Sequence, residues 1–165
     1  LYGQFMLTVD GPKVVEFNAR FGDPEAMNTL PVLETDFVEV LVAAREGERL
    51  PDLEFGARAT VCKYAVPEGY PTDPVAGAKV AIDAESAGDA QLFYASVDAR
   101  DDGIYTTTSR SFAVVGIADS IPEAESIVED AFERTGTAGL RVRHDSGSAE
   151  LVQKRIDRMG ELRGE

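Results

Sequence analysis

The stretch KVVEFNARFGDPE, residues 13–25, decides how the N-terminal part of the chain is organised. An apolar run leads into three polar side chains at alternate positions, Glu16, Asn18 and Arg20, and a Gly-Asp-Pro turn follows. Side chains two apart on a strand project from the same face, so these three are predicted to converge on one ligand. A carboxylate, an amide oxygen and a fixed cation are typical of a magnesium-bound phosphate site. The alternative interpretation is a strand face exposed to water, and the spacing alone favours this alternative over a metal site.

The residues around this stretch predict a hairpin followed by helices. Two apolar segments, 4–9 and 14–18, flank an Asp-Gly-Pro-Lys sequence, which is a strong hairpin signal, and Pro12 is expected to lengthen the loop beyond two residues. A short helix is expected at 25–33. A clearer helix is expected at about 36–46, beginning at an aspartate N-cap and ending at a glycine, and it should pack across the hairpin.

A polar segment broken by a proline, residues 47–56, separates two sequence patterns. The domain boundary is placed there, with one unit at 1–52 and a second at 53–165. In the second unit, strand-like segments precede two helices, which is typical of a mostly antiparallel sheet with helices packed on it. The predicted fold class is therefore α+β.

Alternation and capping signals predict the elements of the second unit. Strands are expected at 57–67, 78–82, 91–100, 104–108, 111–118 and 138–143, with an Asp-Asp-Gly hairpin turn after the third. Ser120 and Glu123 have the spacing of a capping box, which predicts a helix with one apolar face. A last helix is expected at 148–162, with Ile156 among its apolar contacts.

Composition limits the classes of function. The 165 residues carry a formal net charge of −14 and are 44% apolar, which is normal for a globular core. Affinity for nucleic-acid phosphates and anionic membranes comes from clustered lysine and arginine, so we expect neither as a partner. An acidic excess with only four lysines fits a solvated surface adapted to high salt.

The setting and extent of the chain follow from two further features. No apolar run approaches the roughly 20 residues that cross a bilayer, and the sole cysteine, Cys62, cannot form an intrachain disulfide. We therefore expect a reducing, cytoplasmic setting. The chain opens with Leu1 and has neither an initiator methionine nor a leader, so we expect it to be cut from something longer.

A charged cluster near the C-terminus, Arg141, Arg143, His144 and Asp145, is the other candidate group. One reading places an arginine beside a substrate phosphate. The alternative is a set of surface ion pairs, each contributing about 0–1 kcal/mol. His144 has no Cys, Ser or second His at catalytic spacing, and Cys62, in an apolar strand, is expected to be a buried structural thiol.

Three longer strings resemble one family. EFNARFGDPE, residues 16–25, with FMLT and DGPKV before it, closely resembles the metal-binding segment of the glycinamide ribonucleotide synthetase (phosphoribosylamine-glycine ligase) family of ATP-grasp enzymes. SRSFAVVGIADSIPEAESIVEDAF, residues 109–132, is similar to the family's strand and helix near the C-terminus. RHDSG, residues 143–147, is similar to its Arg-x-Asp-x-Gly motif. The resemblance spans nearly the whole chain.

The resemblance implies the C-terminal part of an ATP-grasp domain followed by a small α+β domain. It implies Glu16 and Asn18 as ligands of Mg²⁺ or Mn²⁺, bridging the ion to ATP. The implied catalytic residue is Arg20, and the implied substrate-binding residues are Arg20, Asp23, Arg143 and Asp145. From the residues alone, Arg20 could equally form a salt bridge with Asp23 or Glu25, and Asp23 more readily shapes the loop.

The implied reaction joins glycine to 5-phosphoribosylamine through glycyl phosphate, with ATP hydrolysed to ADP and phosphate, in de novo purine biosynthesis. The upstream nucleotide-binding regions of such enzymes are missing, so we expect no ligase activity from this chain alone. The missing N-terminal part of the same protein is a candidate partner. Two alternatives stay open: a non-catalytic module that completes a site with a partner chain, and an ATP-grasp ligase acting on another carboxylate. Walker, Rossmann and Gly-x-Ser-x-Gly motifs are absent from the sequence.

Overall fold

The computed structural model describes residues 1–135 and 137–164. Its strands are β1 (Tyr2–Thr8), β2 (Gly11–Asn18), β3 (Ala59–Pro67), β4 (Lys79–Val80), β5 (Gln91–Tyr94), β6 (Val97–Arg100), β7 (Gly103–Thr106), β8 (Phe112–Ala118) and β9 (Leu140–Val142). Its helices are α1 (Glu25–Thr29), α2 (Phe37–Glu46), α3 (Ile121–Thr135) and α4 (Ala149–Arg163). The predicted α+β class is confirmed.

The N-terminal hairpin pairs β1 with β2 in antiparallel register. Thr8 pairs with Gly11, whose φ of 92° closes a two-residue turn. Pro12 therefore lies inside β2, opposite Leu7, and the longer loop expected from it is wrong. The register shifts after Gln4, which leaves Val15 as an extra residue of β2 immediately before Glu16.

The first two helices differ from expectation in one respect each. The helix expected at 25–33 divides into α1 and a 3₁₀ turn at Leu30–Val32, because the proline within that turn has no N–H to continue the α-helix. In α2, the N–H of Val38 donates to Asp36 Oδ1 at 2.8 Å, so the predicted N-cap is confirmed. Gly47 ends α2 with a φ of 71°, as predicted.

Helix α2 does not pack across the hairpin. Its apolar residues Val38, Leu41 and Val42 are exposed. Its aromatic contact with the hairpin segment is that of Phe37 with Phe21, just beyond β2, whose ring centroids lie 5.8 Å apart. The packing expected from the sequence is therefore wrong for the described residues.

The core lies between α3 and a four-stranded antiparallel sheet of order β5-β8-β3-β9. Helix α3 begins at Ser120, whose Oγ accepts the N–H of Glu123 at 3.4 Å and donates to its carboxylate at 2.8 Å. It can approach β8 closely because position 116 is a glycine. A Cβ on Gly116 would lie 2.0 Å from the carbonyl oxygen of Ala124.

The strand expected at 91–100 divides between two sheets. Its first part, β5, pairs with β8. Its second part, β6, pairs with β7 across the predicted hairpin turn, and together with β4 these strands form a separate sheet of order β4-β7-β6. The prediction of one uninterrupted strand is therefore wrong, because the two halves of this segment pair with strands of different sheets.

Helix α4 lies on the outside of the molecule. Ser148 caps it, accepting the N–H of Leu151 at 3.3 Å. None of its residues is buried, and Ile156 is exposed, so the apolar contact expected for Ile156 is not found among the described residues. A groove of about 520 Å³ separates Met159 of α4 from the tip of the hairpin.

No α-helix within the described ranges combines the length and apolar character required for a membrane span.

Candidate functional site

Glu16 and Asn18 lie at the C-terminal end of β2, and their side chains project from one face. Asn18 Nδ2 donates to Glu16 Oε1 at 2.9 Å. The bulge at Val15 precedes both residues, so it leaves their alternation intact. Glu16 is exposed and Asn18 is half-buried. The structure thus brings together the two side chains that the sequence proposes as metal ligands.

Arg20 lies beyond the end of β2, and its side chain binds the backbone of the next residue. Its Nη1 donates to the carbonyl oxygen of Phe21 at 2.8 Å. Among the described residues, no ion pair joins it to Asp23 or Glu25, which was the alternative interpretation. Arg20 is exposed, and a guanidinium has further donors that can meet an anion.

Tyr2 completes the surroundings of this pair, and no sequence pattern indicated its role. It pairs with Asn18 in the hairpin, and its hydroxyl donates to Glu25 Oε1 at 2.8 Å. This hydrogen bond, partial burial and the carboxylate charges of Glu25 and Glu16 raise the pKa of Tyr2, while the guanidinium of Arg20 opposes the shift. Tyr2 therefore stays protonated beside three charged side chains.

Asp23 is held by two side chains of the second unit. Its Oδ1 accepts the hydroxyl of Tyr64 at 2.7 Å, and its Oδ2 accepts Arg110 Nη2 at 2.9 Å. Arg110 Nη1 also donates to the carbonyl oxygen of Asp23 at 3.0 Å, and its guanidinium lies 4.8 Å from the centre of the Tyr64 ring. We call these three residues the Asp23 junction. It fastens the loop after β2 to strand β3.

A cavity of about 350 Å³ lies beside the Asp23 junction. Pro24 lines one wall, and Tyr64, Arg141, Arg143 and Ser146 are among the residues that line the rest. The loop after β2 and the Arg-x-Asp-x-Gly segment therefore meet at one concave surface. Two guanidinium groups make this surface suitable for an anion.

Cys62 faces this cavity from β3. Burial, with smaller contributions from the carboxylates of Asp23 and Glu25, raises the pKa of its thiol to about 12. A thiol that resists ionisation is a weak nucleophile. This agrees with the structural role expected from the sequence.

Arg143 and Asp145 bind each other. Arg143 Nε donates to Asp145 Oδ1 at 3.0 Å, and Nη2 donates to Oδ2 at 2.6 Å. The hydrogen bonds from Arg143 lower the pKa of Asp145. The fork fixes the plane of the guanidinium while leaving one edge open, so Asp145 orients Arg143.

A buried cation that the sequence analysis passed over lies behind this segment. Lys63 Nζ donates to Glu125 Oε1 at 2.6 Å, to Glu129 Oε1 at 2.5 Å and to the carbonyl oxygen of His144 at 2.8 Å. Two signals could have indicated it. Lysine is rare at the centre of an apolar strand, and two glutamates four residues apart share one face of the predicted helix.

The oxygen atoms of Glu16 and Asn18 fit a hard divalent cation that keeps most of its other ligands as water or phosphate oxygens. Carboxylate and amide oxygens are the atoms that Mg²⁺ and Mn²⁺ prefer. No cluster of three or more His, Cys, Asp or Glu side chains is suited to metal binding within residues 1–135 and 137–164. Two protein oxygens therefore suit a cation that also takes water and phosphate oxygens.

Comparison with known proteins matches two parts of one family. The family described as "Phosphoribosylglycinamide synthetase, C domain" matches residues 60–149. The family described as "Phosphoribosylglycinamide synthetase, ATP-grasp (A) domain" matches residues 1–26, which contain Glu16 and Asn18.

Similar proteins carry the name phosphoribosylamine–glycine ligase. The relative from Methanosarcina barkeri is 54% identical over 99% of this chain and 37% of its own length. The relative from Methanococcoides burtonii is likewise 54% identical, over 99% of this chain and 37% of its own length. The chain thus spans well under half the length of these curated relatives.

The fold is shared with a solved structure of a similarly named protein. The crystal structure of the phosphoribosylamine–glycine ligase from Thermotoga maritima superposes with a TM-score of 0.70 at 23% sequence identity. The match covers 86% of this chain and 35% of that one. At this identity the likeness concerns the fold.

Proposed function

The chain belongs to the phosphoribosylglycinamide synthetase family, and we propose that it forms the C-terminal part of a phosphoribosylamine–glycine ligase. The proposal rests on the Glu16–Asn18 pair, which presents a carboxylate and an amide on one face at 2.9 Å within the segment that matches the ATP-grasp domain. In the complete enzyme, ATP, glycine and 5-phosphoribosylamine are the proposed substrates. The proposed product is the amide of glycine and the ribosylamine, an intermediate of purine biosynthesis.

In the proposed reaction, a carboxylate oxygen of glycine attacks the γ-phosphorus of ATP, which gives glycyl phosphate and ADP. The amine of phosphoribosylamine then attacks the acyl carbon, phosphate leaves, and the amine loses a proton. Glu16 and Asn18 would hold Mg²⁺ or Mn²⁺, and such an ion, when bound, neutralises phosphate charge. Arg20, with exposed donors beside this pair, is the proposed catalytic group for the transferred phosphoryl oxygens.

The substrate phosphate is proposed to bind at the cavity. Arg143 lines the cavity with its guanidinium plane fixed by Asp145, which is the orientation that bidentate recognition of a phosphate needs. Arg20 is the proposed second phosphate or carboxylate contact. Asp23 already binds Tyr64 and Arg110, so it would contact substrate by exchanging one of these partners.

Two further assignments belong to the same proposal. Residues 1–52 are assigned to the ATP-grasp domain and residues 53–165 to the C-terminal domain, which is supported by family matches at 1–26 and 60–149. A cytoplasmic setting and an acidic surface adapted to salt are supported by the net charge of −14 and the single cysteine.

The metal assignment is tested by Glu16→Gln in the complete ligase. Loss of the carboxylate is expected to lower kcat/KM by about a hundredfold or more, because an oxygen ligand of the cation becomes neutral. Glu39→Gln, an exposed glutamate of α2, is the matched control and should retain activity. Paramagnetic broadening by Mn²⁺ in the presence of ATP should affect residues near Asn18 in the parent and not in Glu16→Gln. Equal activity of the two variants would contradict the assignment.

The extent of the site is tested with this chain by itself. We expect no ligase turnover from the 165 residues when they are supplied with ATP, glycine and freshly generated phosphoribosylamine. The reason is that the proposed nucleotide-binding groups lie outside the chain. Measurable ADP formation that depends on both other substrates would refute this expectation.

One observation favours a second candidate function, a non-catalytic module that completes a site with a partner chain. Phe5, Leu7, Val14 and Phe17 are exposed on the hairpin, and a two-stranded sheet has unpaired edges. Light scattering separates the candidates, because a chain that stays monomeric at high concentration does not recruit copies through these edges.

A further inference from the structure

Lys63 is among the residues of β3 that line the cavity, and its buried side chain reaches Glu125 and Glu129 of α3. Successive residues of β3 alternate between buried and half-buried positions, and Lys63 takes a buried one while Cys62 and Tyr64 take half-buried ones. Its side chain is fully buried, and its residue exposure is 2%. A lysine at such a position requires charged partners, and α3 provides them.

The two carboxylates that receive Lys63 are not equivalent. Glu125 and Glu129 lie one turn apart on α3, and each accepts a bond from Lys63 Nζ. Glu129 alone makes a second contact, because its Oε2 lies 2.7 Å from His144 Nδ1. The hydrogen bonds from Lys63 and His144 lower the pKa of Glu129 against the opposing effect of burial, which is the largest single contribution. Glu129 thus remains a carboxylate.

His144 is held at two points. Its backbone carbonyl accepts Lys63 Nζ at 2.8 Å, and its ring is bound to Glu129. It lies between Arg143 and Asp145 in the segment that follows β9. A residue that is bound through both its backbone and its side chain restricts the dihedral angles of its neighbours. The backbone that carries the Arg143–Asp145 fork is therefore held in place.

We propose that Lys63 and Glu129 are positioning residues that hold the Arg143–Asp145 fork at the rim of the cavity by binding His144 at its backbone and its ring. Neither residue touches the substrate in this assignment. They act through His144, and Glu125 contributes only to the charge balance around Lys63. The inference rests on the proposed function, in which Arg143 receives the substrate phosphate.

The experiment compares Glu129→Gln with Glu125→Gln in the complete ligase. Each change removes one negative charge from the surroundings of Lys63 and retains an oxygen that can accept its N–H, so the two variants are matched in their effect on Lys63. Only Glu129→Gln alters the contact with His144. We expect it to raise KM for phosphoribosylamine by about tenfold or more, since small displacements of a positioned group are costly, and to leave KM for ATP unchanged. Glu125→Gln should leave both KM values unchanged.

A second measurement follows the fork directly in the 165-residue chain. The Arg143 Nε–H donates to Asp145 Oδ1 at 3.0 Å, so we expect it to give a protected NMR signal in the parent. We expect this signal to be lost through faster exchange in Glu129→Gln and retained in Glu125→Gln. His144→Ala should produce the same loss as Glu129→Gln, and the double variant should add nothing further.

The outcomes separate this inference from the proposed function. If both glutamate variants lose the Arg143 signal, or neither does, Glu129 has no specific role and the inference is overturned. If the signal is lost only in Glu129→Gln while KM for phosphoribosylamine does not change, the support of the fork is upheld and the substrate role of Arg143 fails. Arg143→Lys tests that role independently, because an unchanged KM in this variant contradicts the proposed function alone.

Discussion

The hairpin and the four-stranded sheet are built from similar sequences and end in opposite environments. Phe17 on β2 is 59% exposed, whereas Phe112 on β8 is 1% exposed. Both lie in antiparallel strands rich in apolar residues. The difference is that α3 covers β8, while most residues of β2 are exposed. Local sequence thus determines a strand, and burial depends on whether a covering element is present.

The largest expected difference between the two regions is in the stability cost of replacing a phenylalanine by alanine. Phe112→Ala should lower the free energy of unfolding by about 3–5 kcal/mol, because it leaves a cavity against Phe132. Phe17→Ala should lower it by at most about 1 kcal/mol, since the residue is mostly exposed and its ring makes an edge contact with Phe5. Urea unfolding measures both. Equal losses would show that the hairpin is as well packed as the sheet.

Glycines sharpen the contrast between covered and open surfaces. Gly116→Ala should destabilise by about 1–3 kcal/mol, because its Cβ would overlap the carbonyl oxygen of Ala124. Gly160→Ala on α4 meets nothing within 4 Å, and it should stabilise by about 0.5–1 kcal/mol through helix propensity. Thermal unfolding followed by circular dichroism gives both signs. A stabilising alanine at position 116 would mean that α3 can move away from β8.

The Asp23 junction connects the two regions, so breaking it should uncouple them. Arg110→Gln is expected to cost about 0.5–1.5 kcal/mol, a modest amount for a partly exposed ion pair with a stacked ring. Hydrogen exchange in β1 and β2 should accelerate. Arg100→Gln is the control, because Arg100 pairs with Asp98 and stacks on Tyr105 within a single sheet. Acceleration of hairpin exchange in both variants would rule out a specific coupling.

The smallest expected effect is chemical and concerns Cys62. Its pKa of about 12 in the folded chain exceeds its ordinary value of 9.0 because of burial. Below pH 9 both states hold the proton and stability is unaffected; above pH 9 the unfolded state loses its proton first, so this contribution favours unfolding as the pH rises. Alkylation at pH 8.5 should be slow in the folded chain, fast in urea and intermediate in Arg110→Gln. Fast alkylation of the folded chain would show that the cavity opens.

The features predicted correctly are those that neighbouring residues determine. The Asp36 cap, the end of α2 at Gly47 and the capping contact of Ser120 with Glu123 all involve residues within one turn of a helix. The Glu16–Asn18 contact likewise follows from alternation along one strand. Their roles as metal ligands remain predictions.

The features that were missed join distant parts of the chain. Asp23 binds Tyr64 and Arg110, which are 41 and 87 residues away. The division of 91–100 into two strands depends on which strands stand beside it, and no local pattern contains that information. Lys63 could be recognised as unusual in an apolar strand, but its partners depend on the register of α3 against β3.

Strand β3 has one further consequence. Val61, Lys63 and Ala65 are buried, and the intervening Cys62 and Tyr64 are half-buried and line the cavity, to which Lys63 also contributes. A complete substitution map of this strand should therefore show a tolerance pattern with a period of two. Substitutions at Val61 and Ala65 should mainly lower the amount of protein that accumulates in the cell, and substitutions at Cys62 and Tyr64 should mainly lower its activity. Lys63 should affect both, because it is buried and also binds His144. Along this nine-residue strand, positions where substitutions mainly change protein abundance would thus alternate with positions where they mainly change activity.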